Sequence, residues 1–179
     1  MTGKTFISRR IFVVSILGAG TAIATFLPDV GHAQMDRVKV SMAALKAKTA
    51  KLGPPKVEGT ALVAGKDVPA LYFGTTKMNN RFEVVDEVVK ENGGTATLFV
   101  KSGNDFVRVA TNVKKGDGSR AIGTVLDPNG PVFPMLQKGD AYYGDTTILG
   151  KPYITGYDPI KDASGKIIGI YYVGYLKEG

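Results

Sequence analysis

The chain has no cysteine and no tryptophan, and its single histidine, His32, lies near the N-terminus. Without cysteine there can be no disulfide, no iron–sulfur cluster, no c-type haem and no thiol nucleophile. Once His32 leaves with a presequence, as argued next, histidine-ligated zinc and Ser-His-Asp triads go too. Chemistry is then left to Arg, Lys, Tyr, Thr, Asn and carboxylates, a set that binds more readily than it transforms. The expectation is a protein without a cofactor, without catalytic or metal-binding residues, and not an enzyme. Hydrophobic residues make up 44% of the 179, enough for a globular core, so wholesale disorder is excluded.

Ser8-Arg9-Arg10-Ile11-Phe12-Val13 sets two arginines directly before the apolar run Ile11 to Leu27, which Gly18, Gly20, Thr21 and Thr25 dilute. Pro28 breaks the run, and Gly31-His32-Ala33 offers small residues at the −3 and −1 positions of a processing site. This is similar to a twin-arginine export signal, an address read by a receptor. An uncleaved membrane anchor is the alternative, but the run sits at the short edge of the ~17–25 residues that span a bilayer. Cleavage after Ala33 leaves residues 34–179 as one domain. It removes Lys4, Arg9, Arg10 and Asp29, which takes the formal charge from +7 to +5. The expected product is periplasmic, with no stable membrane insertion after cleavage.

Along the remainder, Met35 to Leu52 reads as a helix with a stripe of Val38, Met42, Leu45 and Leu52 and a wet side of Lys39, Lys46, Lys48 and Lys51. These lysines are spread out with no aromatics between them, so no nucleic-acid partner is expected. Gly53-Pro54-Pro55 ends the helix. Thr60–Val63 and Ala70–Phe73 read as short strands. Asn79 or Asn80 can cap a second helix carrying Phe82, Val85, Val88 and Val89, ended by Asn92-Gly93-Gly94. The period then changes to two: Thr95 to Lys101 and Phe106 to Val113 form a hairpin, with Arg108 in its second strand. Ala121 to Leu126 fits neither period. Pro131 to Lys138 reads as a short helix, and Ala141–Leu149, Pro152–Ile160 and Lys166–Leu176 as three strands. The class is α+β, an antiparallel sheet with helices on one side and at one end.

Several blocks recur in the order of a known family. They are Gly94-Thr-Ala-Thr-Leu-Phe-Val-Lys, Asp105-Phe-Val-Arg-Val-Ala-Thr-Asn-Val, Gly118-Ser-Arg-Ala-Ile-Gly-Thr, Lys138-Gly-Asp-Ala-Tyr-Tyr-Gly, Leu149-Gly-Lys-Pro-Tyr-Ile-Thr-Gly-Tyr-Asp-Pro-Ile and Gly165-Lys-Ile-Ile-Gly-Ile-Tyr-Tyr-Val-Gly. Together they resemble the extracytoplasmic single Cache sensor domain of the Cache 3/Cache 2 fusion type, found in methyl-accepting chemotaxis receptors. The resemblance covers about residues 35 to 176. It implies a PAS-like antiparallel sheet with a long N-terminal helix packed on it, and a small-molecule pocket on the membrane-distal side. Such receptors continue into a transmembrane helix, whereas this sequence stops at Gly179. The expectation is therefore a free-standing periplasmic binder that works with a membrane-bound receptor, kinase or transporter.

Two arginines and a group of tyrosines are the candidate ligand-binding residues. Arg108, mid-strand between Val107 and Val109, either faces solvent or reaches a buried anion. The resemblance places its strand beside the pocket. Arg120 follows a glycine-rich loop; it either pairs bidentately with a ligand carboxylate from the pocket rim or pins the loop by a salt bridge. Tyr142, Tyr143, Tyr153 and Tyr157 lie on the hairpin that the resemblance makes a pocket wall. Tyr153, Thr155 and Tyr157 share one face of their strand. Tyr171, Tyr172 and Tyr175 are assigned to packing, and Lys151 and Asp158 rank lower. One arginine and two or three tyrosines suit a small organic anion such as acetate or propionate, with a charge-assisted head contact and an aromatic wall. An envelope structural protein of the same fold without a ligand, and a periplasmic enzyme, are the alternatives to a sensor.

Overall fold

The computed structural model describes residues 30–177. The export signal read from residues 1–33 lies outside them, apart from residues 30–33 at the start of the first helix. That helix, α1 (Val30–Ala50), buries Val38, Met42, Leu45 and Thr49 along one stripe. Thr49 takes the place expected for Leu52 because the helix stops at Ala50, and its hydroxyl donates to the Leu45 and Lys46 carbonyls. Lys48 turns to the neighbouring helix, donating to Glu87 at 3.3 Å and Glu91 at 2.8 Å. The stop after α1 needs glycine: a Cβ on Gly74 would lie 2.1 Å from the Leu52 carbonyl oxygen, at a φ of +58°.

Strands β1 (Pro55–Val63), β2 (Lys66–Phe73) and β3 (Thr76–Lys77) form a small antiparallel sheet. Next comes α2 (Glu83–Asn92), and here the expected asparagine cap is corrected. Phe82 stands at the N-cap with no side-chain cap bond. Asn79 instead accepts from the Leu71 N–H at 2.8 Å, and Asn80 donates to the Leu62 carbonyl at 2.9 Å. Both asparagines are drawn to the loop's contacts with β1 and β2, and Glu83 and Asp86 in the first turn complement the positive helix end.

The main sheet follows: β4 (Thr95–Ser102), β5 (Asp105–Thr111), then α3 (Val132–Lys138), β6 (Tyr142–Ile148), β7 (Lys151–Lys161) and β8 (Ile167–Leu176). Its order is β5-β4-β8-β7-β6, with every neighbour antiparallel. β8 lies at the centre, covered on both faces, which is why Ile168 and residues 170–173 are all apolar and buried. One face packs on α1 and α2 through a core that includes Met42, Val85, Leu98, Val109 and Val173. The opposite face carries Phe99, Phe106, Tyr157 and Tyr172, beneath Leu136 of α3 and the loop before that helix. The helices thus lie on both faces of the sheet, and the early strands make a sheet of their own. This is the PAS-like arrangement that the resemblance implied, with the long N-terminal helix laid along the sheet.

Two irregularities shape the second face. The pairing of β4 with β5 slips between Leu98 and Phe99, so that Leu98 faces Ala110 and Phe99 faces Arg108. This bulge turns both Val109 and Ala110 to the helix side and leaves Arg108 on the other. Residues 121–126, which showed no period, run beside β5. Arg108 N–H donates to Thr124 O, Gly123 N–H to Arg108 O and Leu126 N–H to Phe106 O, each at 2.9 Å. They form one isolated bridge, Val107 with Val125, in place of a regular ladder, and so leave no alternation in the sequence.

Candidate functional site

A cavity of about 430 Å³ opens on the second face, between β5, β7, the end of β6 and the loop of residues 125–132. Arg108, Leu126, Val132, Thr146, Ile148 and Tyr157 are among the residues that line it. Arg108 decides its character. The residue is 4% exposed, its Nη1 donates to Thr124 Oγ1 at 2.7 Å, and its guanidinium carbon sits 4.9 Å from the centre of the Phe99 ring. Among the described residues no carboxylate pairs with it, and its buried Nε has no hydrogen-bond partner. Burial pulls its pKa below the ordinary value, yet a guanidinium stays charged at any physiological pH. An unpaired buried cation is costly, and an anion is what relieves it.

Tyr157, 1% exposed, forms the wall opposite. Its ring lies between Tyr172, 4.9 Å away, and Tyr142, 6.4 Å away between centroids. The Tyr172 hydroxyl bonds to Thr95 Oγ1 at 3.0 Å, and the Tyr142 hydroxyl donates to the Asp145 carbonyl at 2.8 Å. Those two rings are held, and they hold Tyr157. Burial pushes the Tyr157 phenol up to about 12, against the opposing pull of the Arg108 charge and the Thr146 hydroxyl. Burial also raises Tyr142, Tyr143, Tyr171 and Tyr172.

A group whose folded pKa exceeds its unfolded value stabilises the fold below the unfolded pKa, and that stability is lost as pH rises through the folded one. For Tyr157 the window runs from about pH 10, the ordinary tyrosine value, to about 12. Stability is therefore expected to fall steeply above about pH 10. Phenolate absorbance of these five tyrosines should appear together with unfolding. Smooth ionisation of all eight at an ordinary pKa in the still-folded protein contradicts this.

The six residues singled out in the sequence separate in space. Arg108 and Tyr157 meet at the cavity, and Tyr142 buttresses Tyr157. Tyr153 lines a smaller neighbouring cavity with Lys151. Tyr143 projects from the opposite face of β6, near Gly156, Val38 and Asp158. Arg120 does not line the cavity. Its Nη1 and Nη2 clasp Asp86 at 2.7 and 2.8 Å, Nη1 also donates to the Thr111 carbonyl at 2.8 Å, and Phe82 covers its face at 4.4 Å. Of its two alternatives, the loop-pinning salt bridge describes these contacts. Asp158 is buried against α1 and ion-paired with Lys46, on the face away from the cavity.

Sequence reasoning missed Thr124, Thr146 and the apolar lining of Leu126, Val132 and Ile148. For Thr146 and Ile148 a signal existed, because period two from Tyr142 leads to both. Among the described residues no group of three or more His, Asp or Glu could hold a metal ion, and no helix is long and apolar enough to cross a membrane.

The fold and cavity together define a ligand-binding module of PAS-like architecture. The Cache 3/Cache 2 fusion domain model matches residues 20–179, and the chain belongs to that family of sensor domains. Among solved structures, the ligand-binding domain of the Campylobacter jejuni chemoreceptor Tlp3, in complex with L-valine, is similar at 15% identity with a TM-score of 0.40. The likeness covers 82% of this chain but only 59% of that one. No curated protein matches the chain significantly.

Proposed function

We propose that this chain is an extracytoplasmic sensor domain whose ligand is a small organic anion of the short carboxylate class, such as acetate or propionate. The observation that carries this reading is Arg108: a buried guanidinium at a cavity wall, with an unpartnered Nε and, among the described residues, no acid ion-paired with it. A carboxylate pairs with that group, while Tyr157, Leu126, Val132 and Ile148 cover the carbon chain. Residues 1–33 act as the twin-arginine address, residues 34–179 work in the periplasm, and a membrane-bound receptor, kinase or transporter reads the liganded state.

Binding is favoured over catalysis by the titratable groups at the cavity. Arg108 stays charged and Tyr157 stays neutral near pH 7, so neither exchanges a proton there. Among the described residues the only carboxylate in the lining, Asp127, accepts the Asn129 N–H. A ligand-free structural role is disfavoured because Arg108 would then keep its desolvation cost with nothing to offset it.

The test is thermal denaturation of the purified domain against C2–C4 carboxylates and the alcohols of the same chain length. A carboxylate at a hundredfold excess over its dissociation constant should add about 2.7 kcal/mol of stability, and the alcohols nothing. If organic acids and amino acids across a broad panel all leave the transition unmoved, the reading fails.

A further inference from the structure

Behind the turn that joins β6 to β7 lies a second concavity of about 220 Å³, which the carboxylate reading does not use. Three lysines line it from two stretches of chain: Lys114 and Lys115 after β5, and Lys151 at the start of β7. Thr95, Asn112 and Tyr153 complete its polar wall, and among the described residues no acidic one lines it. Among the described residues none of the three lysines forms an ion pair.

The uncommitted polar groups are donors. Thr95 Oγ1 is engaged with Gly174 O and Tyr172, and Asn112 Oδ1 accepts the Ala96 N–H at 2.8 Å. The Asn112 amide N–H groups, the Tyr153 hydroxyl and the ammonium groups of Lys114 and Lys151 are left over, while the Lys115 charge also acts on the Asp117 carboxylate in its own loop. The floor is apolar, through Val113, Ile148 and the Tyr153 ring, which lowers the local dielectric and strengthens pairing with any anion.

The loop bearing Lys114 and Lys115 is fixed in place. Lys114 bridges to Arg120, Ala121 N–H donates to Val113 O at 2.9 Å, and Lys115 N–H to Ser119 O at 2.8 Å. Arg120 is in turn clasped by Asp86. The backbone that presents the cations is ordered, so the ordering cost of binding is confined to the exposed lysine side chains themselves.

We infer that this lysine-lined concavity is a second anion site, distinct from the Arg108 cavity, for a compact soluble anion carrying two or more negative charges. Phosphate groups and polycarboxylates share that chemistry, and the two cavities share Ile148 and Leu149 as a common lip.

Calorimetric titration of the purified domain with pyrophosphate and with citrate, at constant ionic strength and ~1 mM ligand, tests this; that concentration is too low for exclusion effects of kosmotropic salts. Binding of one or both is expected, the stronger showing whether phosphate or carboxylate is preferred, with acetate giving no heat that depends on these lysines. Lys114→Ala with Lys151→Ala should weaken binding by roughly tenfold or more, as expected for loss of two charge-assisted contacts. Arg108→Met should leave it intact, which separates this site from the first. No heat with either probe, equal heat in the double-lysine variant, or loss in Arg108→Met would each overturn the assignment.

Discussion

Replacing Arg108 by methionine is expected to raise the melting temperature of the ligand-free protein while abolishing its response to carboxylates. Most arginines cannot give this combination, since removing a paired guanidinium strands its acid. Among the described residues Arg108 has no acid to strand, and Thr124, the hydrogen-bond partner of its guanidinium, keeps its own donation to the Ala121 carbonyl at 2.7 Å. The substitution therefore removes a desolvated charge and leaves an apolar chain of related length against Phe99 and Tyr157. Replacing a buried ion pair by well-packed apolar residues is neutral or stabilises by about 1–4 kcal/mol, and an unpaired buried charge has less to offset its desolvation cost. For a domain of this size each kcal/mol shifts the melting temperature by roughly 2–4 °C. Scanning calorimetry of both proteins with and without ligand reads both effects at once. A lower melting temperature for the variant would show that the guanidinium is already neutralised within the fold.

Arg120→Ala should do the opposite: destabilise strongly and leave carboxylate binding unchanged in the protein that remains folded. The residue makes a bidentate pair with Asp86, a bond to the Thr111 carbonyl and a stacked contact with Phe82. Together they join α2 to the loop after β5. Truncation forfeits all three and leaves the half-buried Asp86 unpaired, at a cost of about 2–4 kcal/mol. Lysine should rescue little, because a single ammonium cannot reproduce the planar fork. Denaturant unfolding of Arg120→Ala, Asp86→Ala and the double variant isolates the pair: strong non-additivity is expected. Additive effects, or loss of ligand response at unchanged stability, would return Arg120 to the binding site.

The contrast between the two arginines marks how far sequence reaches. Alternation along β4, β5 and β7 was legible because one residue in two meets a different core. For the same reason Tyr153, Thr155 and Tyr157 could be placed on one face. The same rule already separates Tyr142 from Tyr143, since adjacent strand residues point to opposite sides. What could not be read depends on long-range partners. Asp86 lies on a helix 34 residues before Arg120, and no local pattern joins them. The bulge that aims Arg108 at the cavity is a slip between two strands, invisible in either alone. Residues 121–126, which supply Thr124 and Leu126 to the site, follow β5 by isolated backbone bonds and so carry no period. Asn79 and Asn80 had the right type and place for a helix cap, and tertiary contacts with β1 and β2 outbid it.

The account rests on the Arg108 side chain being a buried donor that lacks its acceptor. Nitrogen-15 spectra of arginine Nε–H groups observe that atom directly, with the Arg108→Met variant supplying the assignment. On titration with a stabilising carboxylate the Arg108 Nε–H signal should move downfield and its exchange with solvent should slow, while the Arg120 signal stays in place. An Arg108 signal that is unchanged at saturating ligand would contradict the central claim.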